Sequence, residues 1–223
     1  MICYLVLGIY INMNKLESLK KLEEEIKANK SLPLRESNLV FGEGNHDCEV
    51  MFIGEAPGFH EDKLVRPFVG RSGQLLDVLI KSVGWERKDV YITNIVKRRP
   101  PENRDPLPEE IESYKPYLAR QIEIINPKVI ATLGRFSMNY FLPAAKIMRD
   151  QGKLFRLNSG KFLVPIIHPA AALRSTSVLK ALEASFKKLP SILNKIEELK
   201  SQPAIQPKNS VDDQPEESQE SLF

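Results

Sequence analysis

Gly54-Glu55-Ala56-Pro57-Gly58 sets a carboxylate among two glycines and a proline, directly after the apolar run Met51-Phe52-Ile53. A short apolar run that ends in glycine reads as a buried strand giving way to a loop. Loops at the carboxyl ends of such strands are where α/β folds bind ligands. The glycines let backbone N–H groups approach a ligand closely, and the proline keeps the turn stiff. Three further side chains can do chemistry beside such a loop. Phe68, in Pro67-Phe68-Val69-Gly70-Arg71-Ser72-Gly73, offers a flat apolar face, and Asn94 offers a donor and an acceptor on one amide. His168 follows the apolar run Val164-Pro165-Ile166-Ile167 and precedes Pro169. A stacking face, a bidentate amide, an imidazole and a carboxylate together suit a flipped-out nucleobase. Each also has a plainer reading: a strand-to-helix turn, a core phenylalanine, a strand-end cap, and a polar cap or core histidine. His46 and His60 have no comparable context.

Five blocks stand in a fixed order: Gly54-Glu55-Ala56-Pro57-Gly58, Glu61-Asp62, Pro67-Phe68-Val69-Gly70-Arg71, Tyr91-Ile92-Thr93-Asn94-Ile95-Val96-Lys97 and Ile167-His168-Pro169-Ala170. Their order and spacing resemble the family 4 uracil-DNA glycosylases, over roughly residues 14–195. The resemblance implies hydrolysis of the N-glycosidic bond of uracil in DNA, by base flipping, to leave an abasic site. It places Phe68 against the pyrimidine ring, Asn94 against O4 and N3–H, and His168 as donor to O2. Cytosine presents the opposite donor and acceptor pattern to that amide. Gly54 and Ala56 belong to the base-binding turn, whose amides add to the stabilisation of the departing anion. Glu55 and Glu61 correspond to the catalytic and thymine-excluding carboxylates, and which of them carries most of the catalysis stays open. The related family 1 motif resembles G-Q-D-P-Y, so its water-activating Asp falls on Ala56 and its thymine-excluding Tyr on Gly58. The stretch His168-Pro169-Ala170-Ala171-Ala172-Leu173-Arg174 corresponds to the insertion loop, with Leu173 or Arg174 nearest the space a flipped base leaves. Ala171 and Ala172 are smaller than the Tyr and Leu usual there. Arg71, Arg99, Arg104 and Arg174 are candidate phosphate contacts. Two other readings remain: a catalytically weakened uracil- or DNA-binding module, and a glycosylase for another deaminated base.

Family 4 enzymes hold an iron–sulfur cluster on four cysteines. The matching positions here are Lys27, Lys30, Arg98 and Tyr114, none of which supplies the thiolate such clusters require. The expectation is therefore no cofactor and no metal, with Arg98 stacked on the Tyr114 ring. Only Cys3 and Cys48 occur in the chain, too few for a disulfide scaffold and compatible with a reducing cytoplasm.

Positioning these groups takes a folded domain, and 223 residues with 42% hydrophobic and 27% charged content suit one. Strand patterns at 50–53, 90–93, 129–133 and 162–167 alternate with helical patterns near 72–83, 108–125, 135–141 and 177–198, after an amphipathic helix over 15–29. The fold expected is α/β, a three-layer α/β/α sandwich around a central, mostly parallel four-stranded sheet. Residues 13–198 form the domain. The apolar segment 1–12 falls short of the ~20 residues of a membrane span and reads as a mis-start or extension before Met13. Residues 199–223 read as a disordered acidic tail.

From Ser201 onward one lysine and five acids give −4 of the chain's net +3, so the remainder carries +7. Such an excess permits phosphate binding. The tail ends in Gln219-Glu220-Ser221-Leu222-Phe223, which resembles the short clamp-binding motif of bacterial replication and repair proteins. Gln219 would be its polar anchor, and Leu222 and Phe223 its apolar plug. The expected partners are uracil-containing DNA and a bacterial sliding clamp, with no membrane, for a cytoplasmic monomer.

Overall fold

A computed structural model describes residues 14–201. In chain order the elements are α1 (Lys15–Ala28), β1 (Glu43–Gly44), β2 (Val50–Gly54), α2 (Phe59–Leu64), α3 (Arg71–Ser82), β3 (Tyr91–Asn94), α4 (Pro108–Ile125), β4 (Val129–Leu133) and α5 (Arg135–Phe141). They continue as α6 (Ile147–Asp150), β5 (Phe155–Arg156), β6 (Phe162–Ile166), α7 (Pro169–Ala172), α8 (Thr176–Lys187) and α9 (Leu189–Ser201). The sheet order is β1-β3-β2-β4-β6-β5. Strands β3, β2, β4 and β6 are parallel neighbours and match the four runs read from the sequence. The expected count of four strands is corrected to six, because β1 and β5 add antiparallel edges of two residues each. Two residues carry no alternation that a sequence could display.

Every residue of β2 and β4 is buried, as a parallel sheet covered on both faces requires. Alternation then sorts the side chains. Val50 and Phe52 join Leu76, Leu79 and Ile80 of α3 and Leu182 and Phe186 of α8 on one face. Met51 and Ile53 join Leu19, Leu22 and Ile26 of α1 and Tyr114, Leu118 and Ile125 of α4 on the other. Three layers result. Leu19, Leu22 and Ile26 recur at the spacing of one helical face, and the Asn14 side chain caps α1 by accepting from Leu16 N.

The helical pattern expected over 177–198 divides into α8 and α9, with Lys188 capping the first. Pro190 has no N–H to return to Phe186 and its ring crowds that carbonyl, which interrupts the ladder at this point. Ile192 N restarts the ladder on Lys188 O at 2.9 Å. After β2 the chain crosses to β3 on one side, and β4 then pairs on the other side of β2, which opens a crevice at the carboxyl ends of the central strands.

Candidate active site

A cavity of about 380 Å³ occupies that crevice, lined by Glu55, Ala56, Gly58, Glu61, Phe68, Ser72, Asn94, Asn103, His168 and Ala170. The parallel ladder sets Gly54 opposite Asn94, and Ile95 N and Val96 N continue it onto Gly54 O and Glu55 O, both at 3.0 Å. The turn that carries Glu55 is thereby fixed against the end of β3. Gly54 itself lies beneath the cavity. A Cβ there would stand 2.4 Å from Asn94 Oδ1 and 2.5 Å from Phe68 Cζ, so only glycine lets the two side chains close over it.

Phe68 is buried and holds a left-handed backbone, φ 50°. Such a conformation in a bulky residue persists only where neighbours over-determine it. Glu61 Oε1 accepts from Val69 N at 2.9 Å and Gly70 N at 2.8 Å, just after the strained residue. Arg87 Nη1 donates to Phe68 O at 3.3 Å and Nη2 to Pro67 O, while Glu43 and Asp77 hold the same guanidinium. The Phe68 ring lies 5.7 Å from that of His168, with 30° between their planes.

His168 Nδ1 accepts from Ala170 N at 3.1 Å, which leaves the proton of the neutral ring on Nε2. Burial pushes its pKa down to about 4, against a smaller upward pull from Glu61. The imidazole is therefore a neutral donor near pH 7. Burial raises the Glu55 carboxyl to about 7, helped by Asp105 and opposed by Arg135. Asn94 is 1% exposed, and its Oδ1 has no hydrogen-bond partner within the protein. A buried acceptor without a donor is costly unless a ligand satisfies it.

The structure thus brings Glu55, Ala56, Glu61, Phe68, Asn94 and His168 around one cavity, with Gly54 underneath. Arg71 is exposed at the start of α3, beside Ser72 of the cavity wall. Arg99 covers the ring of Phe59 at 5.2 Å and donates to Asn103 Oδ1 at 2.6 Å. Arg104 is held by Glu110 through contacts of 2.9 and 2.6 Å. Leu173 and Arg174 are exposed beyond α7. Gln219, Leu222 and Phe223 lie outside the described residues. The sequence reading gave Ser72 and Asn103 no role in the site, and Ala170 only a place in the insertion-loop stretch. Asn103 offered one signal, since asparagine tolerates the left-handed φ of 55° that it adopts in a proline-bounded turn.

Tyr114 is buried, and its hydroxyl donates to Pro33 O at 2.8 Å, while Arg98 donates to Ser37 O. The charge of Arg98 acts on the Tyr114 phenol, and among the described residues the guanidinium is not found stacked on the ring as expected. Lys27 pairs with Glu23 at 3.0 Å and Glu24 at 2.9 Å, and Lys30 is exposed.

A family model for the uracil DNA glycosylase superfamily matches residues 41–194, more than half of the chain. A type-4 uracil-DNA glycosylase of Sulfurisphaera tokodaii is 46% identical over 185 residues, 78% of this chain and 84% of that protein. The type-4 uracil-DNA glycosylase of Archaeoglobus fulgidus is 42% identical over 190 residues, covering 81% and 96% of the two chains. That of Saccharolobus solfataricus is 48% identical over 166 residues, covering 70% and 77%. With the crevice at the sheet's carboxyl edge and matches of this extent, the chain belongs to the uracil-DNA glycosylase superfamily, in its type-4 family.

Proposed function

We infer that this protein is a uracil-DNA glycosylase, a hydrolase that removes uracil from DNA and leaves an abasic site. The observation that carries the reading of the cavity is the orphaned acceptor Asn94 Oδ1, buried between Gly54 and Phe68. Uracil N3–H satisfies it, and the Asn94 Nδ2 donor then faces O4. Cytosine offers an acceptor at the first atom and a donor at the second, so it would leave the buried amide mismatched. Phe68 stacks on the ring.

When the bond between the sugar and uracil N1 breaks, its electron pair passes to the base and positive charge develops on the sugar. His168 Nε2–H stabilises the negative charge at O2 from a neutral imidazole. Glu55, as carboxylate, opposes the cationic sugar and takes the proton of the attacking water. Glu61 stands where it limits the space around the base, and it also fixes the Phe68 turn. The decisive assay is incubation with a labelled uracil-containing oligonucleotide followed by alkaline cleavage. Product from uracil but not from cytosine is expected, with loss in Asn94→Ala. Binding without product, or product only from another deaminated base, would overturn the reading.

We further propose that the enzyme works without an iron–sulfur cluster. The chemistry of the donors supports this: two ammonium groups, a guanidinium and a phenol stand at the family's ligand positions. The thiol of Cys48 is buried and pushed up to about 12. These side chains do not fit the group. Hydrogen bonds from Tyr114 to Pro33 O and from Arg98 to Ser37 O hold the loop before β1 to α4 and to the segment after β3 instead. Stoichiometric iron in the purified protein, with absorbance near ~400 nm as iron–sulfur sites show, would overturn this. For the last five residues we propose docking to a sliding clamp. Their pattern supports it, as does the acidic and polar stretch before them, whose length would tether the motif to the enzyme and raise its local concentration. Removing residues 219–223 is expected to abolish clamp pull-down and leave excision from short oligonucleotides unchanged.

A further inference from the structure

The first of the three consecutive basic residues 97–99 is 0% exposed. Lys97 Nζ lies 2.6 Å from Thr93 Oγ1, 2.6 Å from Gln121 Oε1 and 2.8 Å from Asn94 O. All three groups accept. The Thr93 hydroxyl spends its proton on Phe41 O at 2.7 Å, and Gln121 is oriented by donating Nε2 to Phe41 O at 3.2 Å and Tyr91 Oη at 3.1 Å. Three acceptors around one amine complement the three N–H bonds of an ammonium group. The Phe41 ring adds a cation–π contact at 6.0 Å. No carboxylate pairs with Lys97 among the described residues, and burial pushes its pKa well below the ordinary lysine value. An unpaired buried amine is unfavourable for folding, and the site, beside the Phe41 ring, would accept an apolar side chain.

Function explains the arrangement better than packing does. Asn94 Oδ1 has no partner, so the protein holds that amide through its backbone and through the contact of Gly54 and Phe68. On the Asn94 carbonyl, the side-chain donor is Lys97. We propose that Lys97 is a positioning residue for uracil recognition: its side-chain nitrogen clamps the Asn94 carbonyl to Thr93 and to Gln121 of α4, and so sets the angle at which the Asn94 amide enters the cavity. The inference rests on Asn94 as the base-reading amide.

The test is a double-mutant cycle on single-turnover uracil excision, using Lys97→Met, Asn94→Ala and their combination. A misplacement of the reading amide is expected to cost about 10- to 100-fold in the wild-type background. In the Asn94→Ala background, where no amide remains to be aimed, Lys97→Met is expected to change the rate less than about twofold, the non-additivity of residues acting as a unit. Where Lys97→Met alone folds poorly, Lys97→Met/Gln121→Leu removes the orphaned partner and restores folding, while excision stays impaired. Wild-type rates in either well-folded Lys97 variant, or equal losses in both backgrounds, would overturn the proposal. Full excision by Asn94→Ala itself would instead overturn the reading of the pocket, so the two failures are distinguishable.

Discussion

Glu55 and His168 meet the same burial with opposite consequences for charge. Both become neutral more readily, so the carboxyl titrates at about 7 and the imidazole at about 4. Catalysis that needs the Glu55 carboxylate must then fall as pH drops through 7, about tenfold per unit, and stay flat above it. His168 adds no limb between pH 5 and 8, being neutral throughout. A single-turnover pH profile checks this, and Glu55→Gln is expected to lose the limb together with about 10²- to 10⁴-fold in rate. An unchanged profile in that variant would reassign the base. The same shift acts on folding with a definite sign. A raised carboxyl pKa favours the native state below the unfolded value of 4.5, and the benefit is lost as pH rises through 7. Relative to wild type, Glu55→Gln is therefore expected to gain in melting temperature between pH 5 and pH 8. From sequence, the glutamate in its glycine-rich turn was legible, and so were Phe68, Asn94 and His168. Lys97 was not, because it opens the run Lys97-Arg98-Arg99 and reads as one more basic loop residue. Only the closure of α4 over the end of β3 shows it to be buried.

Helix α3 and the turn before it act as one part, which delivers Phe68. The helix packs so closely that a Cβ on Gly73 would lie 1.9 Å from Phe68 O and 2.1 Å from its carbonyl carbon. Backbone cannot move aside cheaply, so Gly73→Ala must push the 67–70 turn off Glu61 and Arg87. The expected outcome is a lower melting temperature, by the few degrees to more than ten that strained core changes produce, and a loss of uracil binding larger than that of Leu75→Ala on the same helix. Equal binding by both variants would show that the packing does not transmit to the ring. Periodicity revealed α3 and α4 within one residue of their bounds and the parallel strands nearly as well, since long amphipathic and fully apolar runs repeat a signal. It could not reveal Arg87. A guanidinium shared among Glu43, Asp77 and two carbonyls of another turn depends on four segments meeting in space. Nor could it show that Phe68, an ordinary aromatic in sequence, sits at a positive φ.

For the whole molecule the question is how a surplus of positive charge meets a phosphate backbone, and the arginines around the cavity answer it unequally. Arg104 is committed to Glu110, which is 4% exposed and whose carboxylate also accepts from Leu107 N at 2.8 Å to cap α4. The guanidinium holds that carboxyl below its usual range, so the ion pair stabilises the fold above the unfolded carboxyl pKa and is lost as pH falls. Arg71 stands differently. It is exposed at the first position of α3, where no acid occupies the first turn and the helix dipole disfavours a cation. A cation placed there against the dipole, next to Ser72 of the cavity wall, suits a phosphate that both the arginine and the helix terminus attract. The two substitutions should therefore separate. Arg71→Gln is expected to leave the melting temperature unchanged or slightly raised, to weaken DNA binding at all sequences, and to reduce the slope of log affinity against log salt by about 1. Arg104→Gln is expected to lower the melting temperature at pH 7, by less at pH 4, and to leave the salt slope unchanged. Fluorescence anisotropy with a uracil-containing oligonucleotide across a sodium chloride series measures the first quantity, and thermal denaturation at the two pH values measures the second. If Arg104→Gln lowered the slope while folding as well as wild type, the arginine would be a phosphate contact and the Glu110 pair incidental to it.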